Sequence, residues 1–168
     1  MRVVADTSAL GSLGTIADRT WNPLDQLLDR ESILVPATVV DELAETAAYD
    51  DASGAAASRV LDRRSAIEGR DVSLDESFPL DDGENAAVTL ANQCGATQLL
   101  CDDFTQLALV HASLVETRLV TTPTLLLTLA RTDAVDSRTA AALLQEIADA
   151  RSWTNDSYVQ RASAVLDA

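Results

Sequence analysis

Met1-Arg2-Val3-Val4-Ala5-Asp6-Thr7-Ser8-Ala9-Leu10 opens the chain. Arg2 to Ala5 lack polar alternation, the pattern of a short strand buried on both faces. Asp6-Thr7-Ser8 then supplies a helix start. The same switch from apolar run to helix recurs downstream. Asn22-Pro23 opens a helix to about Arg30, with Asn as cap and Pro at its first position. Ser32 to Val35 reads as a second strand. Thr38 to about Tyr49 reads as a helix with Val39, Leu43 and Ala47 along one face. Asp50 to Gly54 is a break, Ala55 to about Glu68 a helix, and Asp71 to Leu74 a short strand. Asp81-Asp82-Gly83-Glu84 begins a helix that stops at Gly95, after Cys94. Thr97 to Cys101 is a strand, Asp103 to about Val115 a helix, and Arg118 to Val120 a strand. Three helices follow, near Pro123–Ala130, Ser137–Arg151 and Asn155–Leu166.

Strands alternating with helices predict an α/β fold with a central parallel sheet covered on both faces. No linker, repeat or low-complexity segment interrupts it. Residues 1–168 read as a single domain, with a helical C-terminal extension from about residue 131. A chain of 168 residues with 47% hydrophobic content can bury a substantial core.

Composition narrows the chemistry. Asp and Glu total 27 against 12 basic residues, all of them Arg, for a net charge of −15. Such acidity ordinarily disfavours nucleic acid as a partner. A Lys-free, Asp-rich and Ala-rich composition is also what a cytoplasm at molar salt favours. There the Debye length falls to ~3 Å and long-range repulsion of a phosphate chain is largely lost. The chain is therefore expected to be halophilic. Without Lys there is no P-loop lysine, Schiff base or lysine general base. A phospho-accepting receiver domain, which needs a Lys after a later strand, is excluded too. The sole His, His111, rules out a metal site with two His ligands, and it reads as a helix-packing residue. Cys94 and Cys101 form no CxxC pair, so neither a disulfide framework nor a zinc site is indicated. No apolar run reaches the ~20 residues that span a bilayer, and Asp6 falls too early for a secretion signal. A cytoplasmic location with no membrane partner is expected.

Carboxylates are left to carry any chemistry. Ligands bind at the carboxyl ends of the strands in parallel α/β sheets. Asp6 ends the first strand and Asp102-Asp103 end the strand Thr97–Cys101. Glu84 lies in the first turn of the helix leading into that strand, and Glu42 lies one turn into the helix after Ser32–Val35. Carboxylate oxygens are the hard ligands that Mg²⁺ and Mn²⁺ prefer. Each acid also has a plain structural explanation. Asp6 and Asp103 suit helix caps, Asp81 with Glu84 suits a capping box, and Glu42 suits an acidic surface.

In this order the acids resemble a known family. Val3-Val4-Ala5-Asp6-Thr7-Ser8-Ala9-Leu10 is similar to the opening motif of PIN-domain nucleases, an apolar strand ending in Asp-Thr-Ser. Val35-Pro36-Ala37-Thr38-Val39-Val40-Asp41-Glu42-Leu43 resembles their second motif, with its Glu at position 42. Asp82-Gly83-Glu84-Asn85-Ala86-Ala87-Val88-Thr89-Leu90-Ala91 resembles the third, an acid leading a small-residue helix. Leu99-Leu100-Cys101-Asp102-Asp103-Phe104 resembles the fourth, a strand ending in an acid pair. The resemblance runs from Met1 to about Leu129. It implies a Rossmann-like, three-layer PIN domain and one or two Mg²⁺ or Mn²⁺ ions held by Asp6, Glu42, Glu84 and Asp103. The same four residues would be catalytic in metal-assisted hydrolysis of single-stranded RNA, with Thr7 or Ser8 orienting a water. Cys101 departs from the Thr or Ser usual there. Asp102 is the alternative to Asp103, although spacing favours Asp103. Asp81 and Asp82 compete with Glu84, which the Ala-rich helix favours.

Arg59 and Arg63, one helical turn apart, are candidates to hold RNA phosphates, or else partners for neighbouring acids. Trp21, Trp153 and the few other aromatics show no interleaved stacking pattern and read as core. Relatives of this kind include toxins of toxin–antitoxin pairs and RNA-processing enzymes. A small antitoxin protein and a second copy of the chain thus join single-stranded RNA among the expected partners. The competing expectation is a non-catalytic PIN-like nucleic-acid-binding or regulatory module.

Overall fold

A computed structural model describes residues 1–168. Strands β1 (Arg2–Ala5), β2 (Ser32–Pro36), β3 (Ile67–Arg70), β4 (Gln98–Leu100) and β5 (Arg118–Val120) form one sheet. Its order is β3-β2-β1-β4-β5 and every pairing is parallel. Around it lie α1 (Thr7–Thr15), α2 (Pro23–Arg30), α3 (Ala37–Ala47), α4 (Ala52–Leu61) and α5 (Asp82–Cys94). The chain continues through α6 (Leu107–Ser113), α7 (Thr122–Arg131), α8 (Ser137–Arg151) and α9 (Ser157–Leu166).

Successive residues of each strand feed opposite layers, as the pleat requires. Val3, Ala5, Ile33, Val35, Ile67, Leu100 and Val120 pack with α1 to α4 and α7. Val4, Leu34 and Leu99 pack on the other face against Ala87, Val88, Leu90 and Ala91 of α5 and Val110 of α6. Both faces are thus covered, which is why these strands carry no polar alternation. A third cluster joins α7, α8 and α9 to Ile16 beyond α1. The C-terminal helices are packed into the fold through this cluster. No helix is long and apolar enough to cross a membrane.

Helix starts follow local chemistry. Asp6, Asn22, Asp51, Asp81, Thr121, Asp136 and Asp156 each cap a helix with their side-chain oxygen. Gly95 stops α5 with φ +59°, a left-handed position that glycine adopts without penalty.

Three elements have boundaries that differ clearly from the sequence reading. Helix α4 begins at Ala52, because Asp51 accepts a hydrogen bond from the Gly54 amide at 2.8 Å. The predicted break at 50–54 is thus partly the first turn of that helix. It ends at Leu61 instead of running to Glu68, and a 3₁₀ turn at Arg64–Ala66 leads into β3. The third strand is therefore Ile67–Arg70, not Asp71–Leu74. Only Ile67 of that edge strand is buried, so its apolar signal is weak. Helix α6 starts at Leu107 and not at Asp103. The Asp103 carboxylate instead closes a local turn, accepting from the Thr105 amide at 3.1 Å and its hydroxyl at 2.6 Å.

Candidate active site

Strand order reverses between β1 and β4, where chain connections leave toward opposite edges of the sheet. A crevice at the carboxyl ends follows from that topology. Here it is a cleft of about 770 Å³ whose lining includes Asp6, Glu42, Glu84 and Asp103. The four acids singled out in the sequence thus share one cleft, each carried by a different element. Asp81 and Asp82 lie on its rim beside Glu84.

Asp6 follows β1 at the centre of the sheet and is 6% exposed. Its Oδ1 accepts from the Ala9 amide at 2.8 Å, and the Ser8 hydroxyl lies 2.8 Å from both carboxylate oxygens. Ser8 Oγ also accepts from the Asp102 amide at 2.9 Å, tying the end of β1 to the end of β4. Burial raises the Asp6 pKa to about 6, against hydrogen bonds from Ala9, Cys101 and Ser8 that lower it. Cys101 occupies the position next to it in the core, 1% exposed, and burial pushes its thiol pKa far upward. That thiol is inert as a nucleophile and serves as packing beside Asp6.

Glu42 reaches the cleft from α3. The Thr7 hydroxyl donates to its Oε2, so the residue after Asp6 orients the second acid. As arranged, Thr7 and Ser8 direct their hydroxyls at carboxylates. Glu84 arrives from the first turn of α5. Asp81 caps that turn, accepting from the Glu84 amide at 3.0 Å. The reciprocal half of a capping box is missing: Glu84 Oε2 is buried with no hydrogen-bond partner. A Cβ at Gly83 would stand 3.5 Å from Asp81 Oδ1 and 3.9 Å from Glu42 Oε1. Glu42 of α3 and Asp81, the cap of α5, therefore flank a bare backbone position. Loop 71–81 holds this arrangement through buried Asn85, which exchanges two hydrogen bonds with the Asp75 backbone at 2.8 and 2.9 Å.

The adjacent acids after β4 are separated by their surroundings. Asp103 lines the cleft. Asp102 is 4% exposed and turned to the start of α7, where it accepts from the Thr122 amide at 2.7 Å and hydroxyl at 2.6 Å. Burial raises its pKa, and those bonds oppose the shift.

Arg59 and Arg63 lie outside the cleft lining. Arg59 bonds the Gly14 and Thr15 carbonyls at 3.3 and 3.2 Å and pairs with Asp18. Arg63 pairs with Asp25 and donates to the Ala17 carbonyl at 2.8 Å. The cation that does line the cleft is Arg151, at the end of α8. Beside it stand Trp153, Phe104 and Tyr158, with Phe104 4.7 Å from Trp153 and stacked on Tyr158 at 5.3 Å. Neither feature has a local sequence signature, because each arises where the C-terminal helices return to the sheet. His111 is exposed on α6 and does not pack as expected.

No three His, Cys, Asp or Glu side chains form a closed group that can hold a metal ion. The acids line the walls of a cleft without closing a cage. The donor set still fits a hard dication, since it consists of carboxylate oxygens and leaves buried Glu84 Oε2 unsatisfied.

A five-stranded parallel sheet between helical layers, with acids lining the cleft at its switch point, defines a three-layer α/β protein. A family model described as a PIN domain matches residues 2–167. The chain belongs to the PIN-domain family. No curated protein matches it.

Proposed function

We propose that the protein is a divalent-metal-dependent ribonuclease that hydrolyses phosphodiester bonds of single-stranded RNA. The observation that carries this reading is the meeting of Asp6, Glu42, Glu84 and Asp103 in one cleft. Helix caps gather at this edge of any parallel sheet, but Glu42 and Glu84 lie within their helices and still line the cleft, and an uncompensated acidic cluster is costly. The four carboxylates would hold Mg²⁺ or Mn²⁺, with Asp6 fixed by Ser8 and Ala9, and Glu42 by Thr7. An ion held there would supply water activation and charge neutralisation at the scissile phosphate. Seating Asp6 between the central strand and α1 fixes its carboxylate within the site.

The lack of a closed carboxylate cage favours a second reading, a non-catalytic PIN-like nucleic-acid-binding or regulatory module. Cleavage assays separate the two. Chelation is expected to abolish cleavage of single-stranded RNA, and Mn²⁺ or Mg²⁺ to restore it. Asp6→Asn, which keeps shape and removes charge, is expected to lower the rate by about 10²-fold or more, equivalent to several kcal/mol of transition-state stabilisation. Cleavage that persists in chelator, or survives Asp6→Asn, defeats the nuclease reading. RNA binding without cleavage under any metal supports the second. A toxin role further predicts a small antitoxin-like protein encoded immediately upstream.

A further inference from the structure

We propose that Arg151 is a phosphate anchor, holding a backbone phosphate of the single-stranded RNA against the acid-lined cleft. The inference rests on the nuclease reading and adds the group that receives the strand. Six acids line the cleft, namely Asp6, Glu42, Asp81, Asp82, Glu84 and Asp103, against one cation, Arg151. A phosphate chain entering such a cleft meets repulsion from every other charged side chain.

Arg151 is the arginine that lines the cleft, and it is not held by an acid as several others are. Arg19, Arg59, Arg63 and Arg70 are committed to carboxylates. None of the six ion pairs involves Arg151. Its guanidinium is positioned by shape instead. It lies over Gly11 of α1, where a Cβ would come within 3.2 Å of Nη1, and its Cζ sits 5.5 Å from the Trp153 ring centroid. The cation–π contact restrains the side chain and leaves its N–H donors unspent. A planar guanidinium with free donors is the group best matched to a phosphate. The simpler account is a cation opposing the dipole at the end of α8, which concerns stability alone.

The two accounts differ in their dependence on salt. The wild-type chain is titrated with a single-stranded RNA oligonucleotide carrying hydrolysis-resistant phosphorothioate linkages, which keep the backbone charge. Mn²⁺ is held constant and KCl is varied within the range where circular dichroism is unchanged. Arg151→Gln is expected to weaken binding about tenfold or more. It should also reduce the slope of log K against log salt by about 0.7, the value of one single-strand phosphate contact. Arg151→Lys should retain the slope and recover part of the affinity. Unchanged affinity and slope in Arg151→Gln, while wild type cleaves RNA, overturn the anchor and leave the nuclease reading intact. Weaker binding by Arg151→Gln with an unchanged slope also overturns it, because the loss then belongs to the end of α8 and not to a phosphate contact. A wild type that neither binds nor cleaves RNA overturns both.

Discussion

Asp6 carries a cost that its position explains. The carboxyl ends the central strand, is nearly inaccessible, and titrates at about 6 instead of its ordinary 3.8. Well below pH 3.8 it is neutral folded or unfolded, and contributes nothing unfavourable. As pH rises through the interval from 3.8 to about 6, the unfolded chain ionises it first, so stability is lost across that window. The loss reaches roughly 3 kcal/mol at neutral pH by linkage. Asn preserves the cap on Ala9 and removes the charge. Metal-free Asp6→Asn is therefore expected to exceed wild type in stability by about 1–3 kcal/mol at pH 7 and to lose most of that advantage near pH 4. Urea denaturation at the two pH values measures this, and equal stability at pH 7 would show that the buried charge is compensated within the fold. Mn²⁺ should stabilise wild type more than the variant, since it binds only the folded site.

Helices α1 and α4 meet through small residues, and the cleft depends on that approach. A Cβ at Gly14 would fall 2.4 Å from the Ala56 carbonyl oxygen and 2.9 Å from Val60 Cγ2. Ala56 and Ala57 of α4 line the cleft opposite Gly11 and Thr15 of α1. Gly14→Ala gains about 0.5–1 kcal/mol of helix propensity, but backbone cannot yield as a side chain does, and overpacking typically costs 1–3 kcal/mol. A net loss of about 1 kcal/mol is expected, read as a lower thermal midpoint; an unchanged or higher midpoint would mean that the helices separate freely. Strands and caps at this level were largely legible in the sequence. The apolar runs gave β1, β2, β4 and β5 to within a residue or two, and Asn22-Pro23 gave α2. Edge strand β3 was not legible, because a strand with one buried residue has no pattern to read. The four acids were legible through their motifs. The commitment of Asp102 to Thr122 was not, since it depends on β5 lying beside β4. Arg151 was hidden for the same reason, as its neighbours Gly11 and Trp153 are set by tertiary packing.

Across the whole molecule, 27 acidic residues face 12 arginines, and only six ion pairs form. Most of the negative charge is therefore met by solvent ions. Lowering salt from molar to about 0.1 M lengthens the Debye length from ~3 to ~10 Å and restores self-repulsion. The thermal midpoint is expected to fall over that range, and a midpoint that holds or rises would refute the halophilic reading of the composition. The sheet order has a consequence of another kind. Strands β1, β2 and β3 precede the mostly exposed loop 71–81, and β4 and β5 follow it. A single cut in that loop leaves Asp6 and Glu42 on one fragment and Glu84, Asp103 and Arg151 on the other. The seam between β1 and β4 is thus the border of two complementary half-proteins, neither with a complete set of acids, so any RNA cleavage by the mixed fragments would report their reassembly.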